Sequence, residues 1–64
     1  MQQAADEVRL ISQLFTSGQL TDRIRGLGRL YTGVRTGMLA LWDVEAILRP
    51  LLERLAEHNL NKHV

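Results

Sequence analysis

Sixty-four residues without a cysteine exclude a disulfide framework and a cysteine-based zinc site, and leave one small domain whose core is hard to close within a single chain. Eight Lys and Arg against seven Asp and Glu give a net charge of +1, which excludes the strong overall basicity of many nucleic-acid binders. The longest apolar run, Met38 to Trp42, is five residues, against the ~18 that a membrane-spanning helix needs. Residues 1–7 lack the basic and then apolar order of a secretory signal, so a cytoplasmic protein is expected.

The first element is an amphipathic helix from about Gln3 to Phe15. Ala4, Val8, Ile11 and Phe15 recur at helical spacing, Leu10 and Leu14 widen the stripe, and Gln2, Asp6, Arg9 and Gln13 fall opposite. Thr16-Ser17-Gly18-Gln19 ends it, with Gly18 expected as a left-handed C-terminal cap.

The second stripe is the most regular feature of the chain. Leu20, Ile24, Leu27, Tyr31, Val34, Met38 and Leu41 follow one another at steps of 4, 3, 4, 3, 4 and 3, an unbroken heptad pattern that predicts a dimer or core seam. Thr21 is the expected N-cap, with Asp22 in the first turn against the positive end of the helix dipole. Gly26, Gly28, Gly33 and Gly37 each cost ~1 kcal/mol relative to alanine inside a helix, so this helix must draw its stability from packing. Gly26, Gly33, Gly37 and Ala40 cluster on the wheel beside the apolar stripe, a smooth strip that lets another backbone come close.

The third stripe is Val44, Leu48, Leu51 and Leu55, broadened by Ile47 and Leu52, with Glu45, Arg49, Glu53 and Glu57 opposite and a favourable Glu45–Arg49 pair. Pro50 inside it predicts a kink. The pattern then decays into a fraying, solvated tail from about residue 59 to 64. A break near Ala40 to Asp43, with Asp43 as the N-cap of a new helix, is expected between the second and third stripes; the alternative is one helix from Asp22 to about His58, kinked at Pro50.

No catalytic motif is present: the chain has no cysteine nucleophile, no His-Glu-x-x-His pair and no Gly-x-Ser-x-Gly elbow, so a non-enzymatic protein without a cofactor is expected. Glu57, His58 and His63 do not converge at their spacing in a fraying end, and no metal site is expected. The glycines from Gly26 to Gly33 mimic a phosphate-binding loop, but Val34 stands where that motif needs lysine and no strand precedes them.

Charge is uneven, with residues 19–40 carrying net +3 from Arg23, Arg25, Arg29 and Arg35 against Asp22. This basic band supports an alternative reading as a DNA- or RNA-binding regulator. The first two helices would then form a helix-turn-helix in which Gln19, Thr21, Arg23, Arg25 and Arg29 face nucleic acid while Ile24 and Leu27 pack back. Among the aromatics, Phe15 is expected in the core, and Tyr31 in the core or at the rim of an interface. Trp42 with Leu39 forms a candidate exposed patch.

The expected architecture is all-α, two or three amphipathic helices in a hairpin or small bundle, completed by homodimerisation. The expected function is a small non-enzymatic regulator or adaptor, an inhibitor being one form, that meets a larger protein through Tyr31, Arg35, Leu39 and Trp42. Neither a membrane nor a small molecule is expected as a partner.

Overall fold

The computed structural model describes residues 2–62, and the side chains of residues 3–59. Three helices follow one another, α1 (Gln2–Phe15), α2 (Leu20–Arg35) and α3 (Leu41–Lys62), with no strand among the described residues. The fold is all-α, and the break between the second and third stripes is present: the chain leaves helix at Thr36 and resumes it at Leu41.

The turns are built differently from the expected caps. Gly18 does not adopt a left-handed conformation; α1 ends where the Thr16 hydroxyl donates to the carbonyls of Ser12 and Gln13, each at 3.1 Å, the Ser12 carbonyl also accepting from the Thr16 amide at 3.2 Å. The left-handed glycine is Gly37, φ 80°, at the end of α2. Its amide donates to the Val34 carbonyl at 3.2 Å, and the Leu39 amide donates to the Gly33 carbonyl at 2.9 Å. That last bond turns the chain back and sets the Leu39 side chain over Gly33.

Thr21 is not the N-cap of α2 but lies inside its first turn, because Gln19, at φ −95° and ψ 127°, occupies the cap position without a side-chain bond. Ser17 performs the polar work instead: its hydroxyl accepts from the Gln19 amide at 3.0 Å and donates to Asp22 Oδ2 at 2.7 Å. Asp43 likewise is not an N-cap. It stands third in α3 and accepts a 2.9 Å bond from the Ala40 amide, the return half of a capping box. Helix continues through Pro50. The Ala46 carbonyl loses its donor there, a loss that is tolerable because Ala46 is exposed and open to water.

α1 packs against both of the other helices, while α2 and α3 barely meet. The core comprises Ile11, Leu39 and Ile47, none more than 4% exposed, with Val8, Phe15 and Leu30 packed around it. Two glycines make this geometry possible. A Cβ on Gly26 would lie 2.9 Å from Leu14 Cβ, and one on Gly33 would lie 2.5 Å from Leu39 Cδ1. An ion pair locks the α1–α2 crossing: the Arg29 guanidinium donates to both oxygens of Glu7 at 2.8 Å. The hydrogen bond to Glu7, and then that carboxylate's charge, raise the Arg29 pKa above its ordinary value against a smaller desolvation effect.

The result is open for its size. The radius of gyration is 13.0 Å, where a compact domain of this length is about 11 Å. The accessible surface is 5239 Å², where a monomer of this mass shows roughly 4,200 Å².

Alanine substitutions separate the three helical glycines. Gly33→Ala and Gly26→Ala are each expected to destabilise the fold by about 1–3 kcal/mol, since overlap with buried Leu39 or with α1 outweighs the gain in helix propensity. Gly28→Ala, where a Cβ meets nothing within 4 Å, is expected to stabilise it by about 1 kcal/mol. Urea unfolding followed by circular dichroism at one fixed protein concentration checks both signs. Asp43→Ala removes the bond to the Ala40 amide and a carboxylate from the helix start; by the same assay it is expected to cost about 1 kcal/mol.

Candidate functional site

The heptad stripe does not enter the chain's own core. Gly26 and Gly33 face inward on α2, and the stripe lies to one side of them. Leu20, Ile24, Leu27, Tyr31, Val34, Met38 and Leu41 are consequently 47–81% exposed. Tyr31, expected in the core or at a rim, is 64% exposed. The physical reason is steric: α1 comes closest to the side of α2 that has no side chains, and Leu30, next round the helix, is the one large α2 residue that reaches the core.

Leu39 is the second correction. Expected in an exposed patch with Trp42, it is 4% exposed and one of the three core residues, because the Leu39–Gly33 backbone bond folds it inward. The patch around Trp42 therefore forms without it. Trp42 is 74% exposed and borders shallow hollows shared with Ala4 and Asp43 on one side and with Ala46, Arg49 and Pro50 on the other.

α3 carries an uncovered stripe of its own. Ile47 is buried, and round the helix from it Leu41, Val44, Leu48 and Leu52 line an open apolar groove edged by Glu45, Arg49 and Glu53. Leu55 extends the stripe another turn and is exposed. Among the described residues, every large hydrophobic side chain that is exposed lies on α2, on α3 or on the turn between them, and α1 has none.

The basic band is largely engaged within the chain. Arg23 donates to the Ser17 carbonyl at 2.8 Å, Arg25 lies 3.9 Å from Asp22, and Arg29 holds Glu7. Arg35 has no ion pair among the described residues, while Gln19 and Thr21 are exposed at the start of α2. Ile24 and Leu27, which a helix-turn-helix would pack against the preceding helix, are 59% and 60% exposed. The expected Glu45–Arg49 pair is present on α3. No group of metal-ligating side chains assembles among the described residues, and His63 lies outside them. None of the described helices is long and apolar enough to cross a membrane.

Comparison with known protein families, with characterised proteins and with solved structures finds nothing that matches. The surface must therefore be read from its own chemistry.

Trp42 is the only tryptophan, so it reports directly on this surface. At its observed exposure it is expected to emit near the wavelength of free indole and to be quenched by acrylamide almost as efficiently. A blue-shifted, protected emission at low protein concentration would contradict the placement.

Proposed function

We propose that this chain is a non-enzymatic protein-interaction module, a small helical regulator or adaptor that acts by occupying the surface of a larger protein. The observation that supports the reading is the apolar surface of α2 and α3, far larger than the chain's own core of Ile11, Leu39 and Ile47. Exposed apolar area on this scale is characteristic of contact surfaces. Within it Trp42 is the best anchor, a large amphipathic side chain with polar neighbours in Asp43 and Arg49 to form a rim. Arg35, which has no ion pair among the described residues, is a cation available to an acidic partner. Tyr31 belongs to the heptad stripe and is assigned to that seam rather than to the Trp42 patch.

The test is affinity capture with wild type and with Trp42→Ala side by side. A protein retained by wild type and lost with Trp42→Ala, at equal helicity of the two baits, supports the reading. Identical captured sets remove Trp42 as the anchor. Because Trp42 is exposed and contributes nothing to the core, the substitution is expected to change stability by less than about 0.5 kcal/mol, so lost capture cannot be ascribed to unfolding.

A further inference from the structure

We propose that a second copy of this chain covers the two uncovered stripes, α2 of each protomer packing against α3 of the other so that α2, α3 and their symmetry mates share one four-helix core. This deepens the interaction reading and rests on it, naming the first partner as the chain itself.

Area supports it first. The chain exposes 5239 Å², roughly 1,000 Å² more than a monomer of its mass. A standard interface hides about 800 Å² per partner. The excess is thus of the size that one stable dimer would remove.

The count of faces supports it second. The chain leaves two apolar stripes bare, on α2 and on α3, and each lacks one helix to cover it. A single foreign helix would satisfy one. A second copy related by a two-fold axis satisfies both, because each protomer supplies the face that the other lacks. The stripes also match in length: Leu20 to Val34 and Leu41 to Leu55 each advance the same number of residues, or ~21 Å along the axis at 1.5 Å per residue.

Charge decides the pairing. Four arginines against Asp22 make α2 basic, while Asp43, Glu45, Glu53 and Glu57 outnumber Arg49, Arg54 and Lys62 on α3. Packing α2 on its own copy would bring the two basic helices together, at separations where screening is incomplete. Packing α2 on the other protomer's α3 sets opposite net charges side by side. It also places Trp42, about 100° round α3 from Leu41, away from the middle of the seam.

The two stripes have their midpoints at Leu27 and Leu48, so these residues meet across the seam whichever way the helices run. Sedimentation equilibrium of the full chain is expected to give twice 7.3 kDa, with helicity falling as dilution dissociates it. A particle of 7.3 kDa at millimolar concentration would overturn the proposal. The absence of native cysteine makes the pairing readable by disulfide formation. Leu27→Cys and Leu48→Cys chains, mixed and oxidised, are expected to cross-link to each other, since facing positions on packed helices come within the Cα separation of roughly 7 Å that a disulfide allows. Leu27→Cys cross-linked to itself, with no mixed product, would overturn the α2-to-α3 pairing. The two readings also fail separately: a dimer whose captured proteins are unchanged by Trp42→Ala loses the partner and keeps the seam, and a monomer whose capture needs Trp42 does the reverse.

Discussion

Everything in this fold follows from how closely α1 and the Leu39 turn approach the glycine face of α2. At Gly26 and Gly33 there is no room for even one carbon atom beyond the backbone, so the approach fixes which side of α2 faces inward. Side chains about 100° away on the same helix then have no way into the core. The helix therefore gives its smoothest face to its own chain and leaves five large apolar residues exposed, Leu20, Ile24, Leu27, Tyr31 and Val34, with Met38 on the turn beyond making six. Fully burying a residue of this kind is worth about 1.5–3 kcal/mol, and these six are about half exposed, so the stripe withholds roughly 5–10 kcal/mol from the isolated chain. That is comparable to the whole stability of an ordinary small domain, about 5–15 kcal/mol.

The three helices and the break before α3 were legible in the sequence because three- and four-residue spacing reports helix directly. The stripe was legible too, but its destination was not. Periodicity shows which face of a helix is apolar and is silent on what covers that face. Gly26 and Gly33, the part of the expected small-residue strip that lies on α2, were the signal that could have decided it, since a face that permits the closest approach competes with the face that offers the most area; Gly37 and Ala40 fall in the turn beyond. Here closeness prevailed inside the chain. Leu39 was illegible for another reason: it sits in a turn, outside any helical period, and reaches the core only through a backbone bond to Gly33 that no spacing rule anticipates.

The capping errors share a physical origin. Gly18, Thr21 and Asp43 all have the right chemistry for caps, and each stands within a few residues of a helix end. What the residue type does not reveal is which of several competent neighbours takes the role. Thr16, with its hydroxyl over the last-turn carbonyls of Ser12 and Gln13, leaves Gly18 nothing to do; Ser17, bridging Gln19 and Asp22, does the same for Thr21. Asp22 and Asp43 stand at equivalent positions in the first turns of α2 and α3, and each holds the preceding turn while its charge meets the helix dipole. The two turns are thus rigid for reasons local to them, and α2 and α3 are held on α1 without needing to touch.

That independence bears on function. α1, at 14 residues, is shorter than α3, at 22, and can cover only about its first half. Beyond Leu51 the described side chains of α3 are all exposed, Leu52 and Leu55 among them. α3 projects past its support with a bare stripe along it, and α2, drawn close to α1 by a glycine-lined contact, carries a second bare stripe. Under the proposed pairing these stripes take helices rather than small ligands: the groove along α3 is shallow and open, whereas small-molecule sites enclose most of their ligand. The polar side chains round them, Arg35 on α2 and Glu45, Arg49 and Glu53 on α3, then set which helix is accepted, since complementary charge governs specificity more than it governs affinity. In the proposed dimer the basic α2 meets the acidic α3 of the other protomer twice over, because a two-fold axis presents the same two helices in the opposite order.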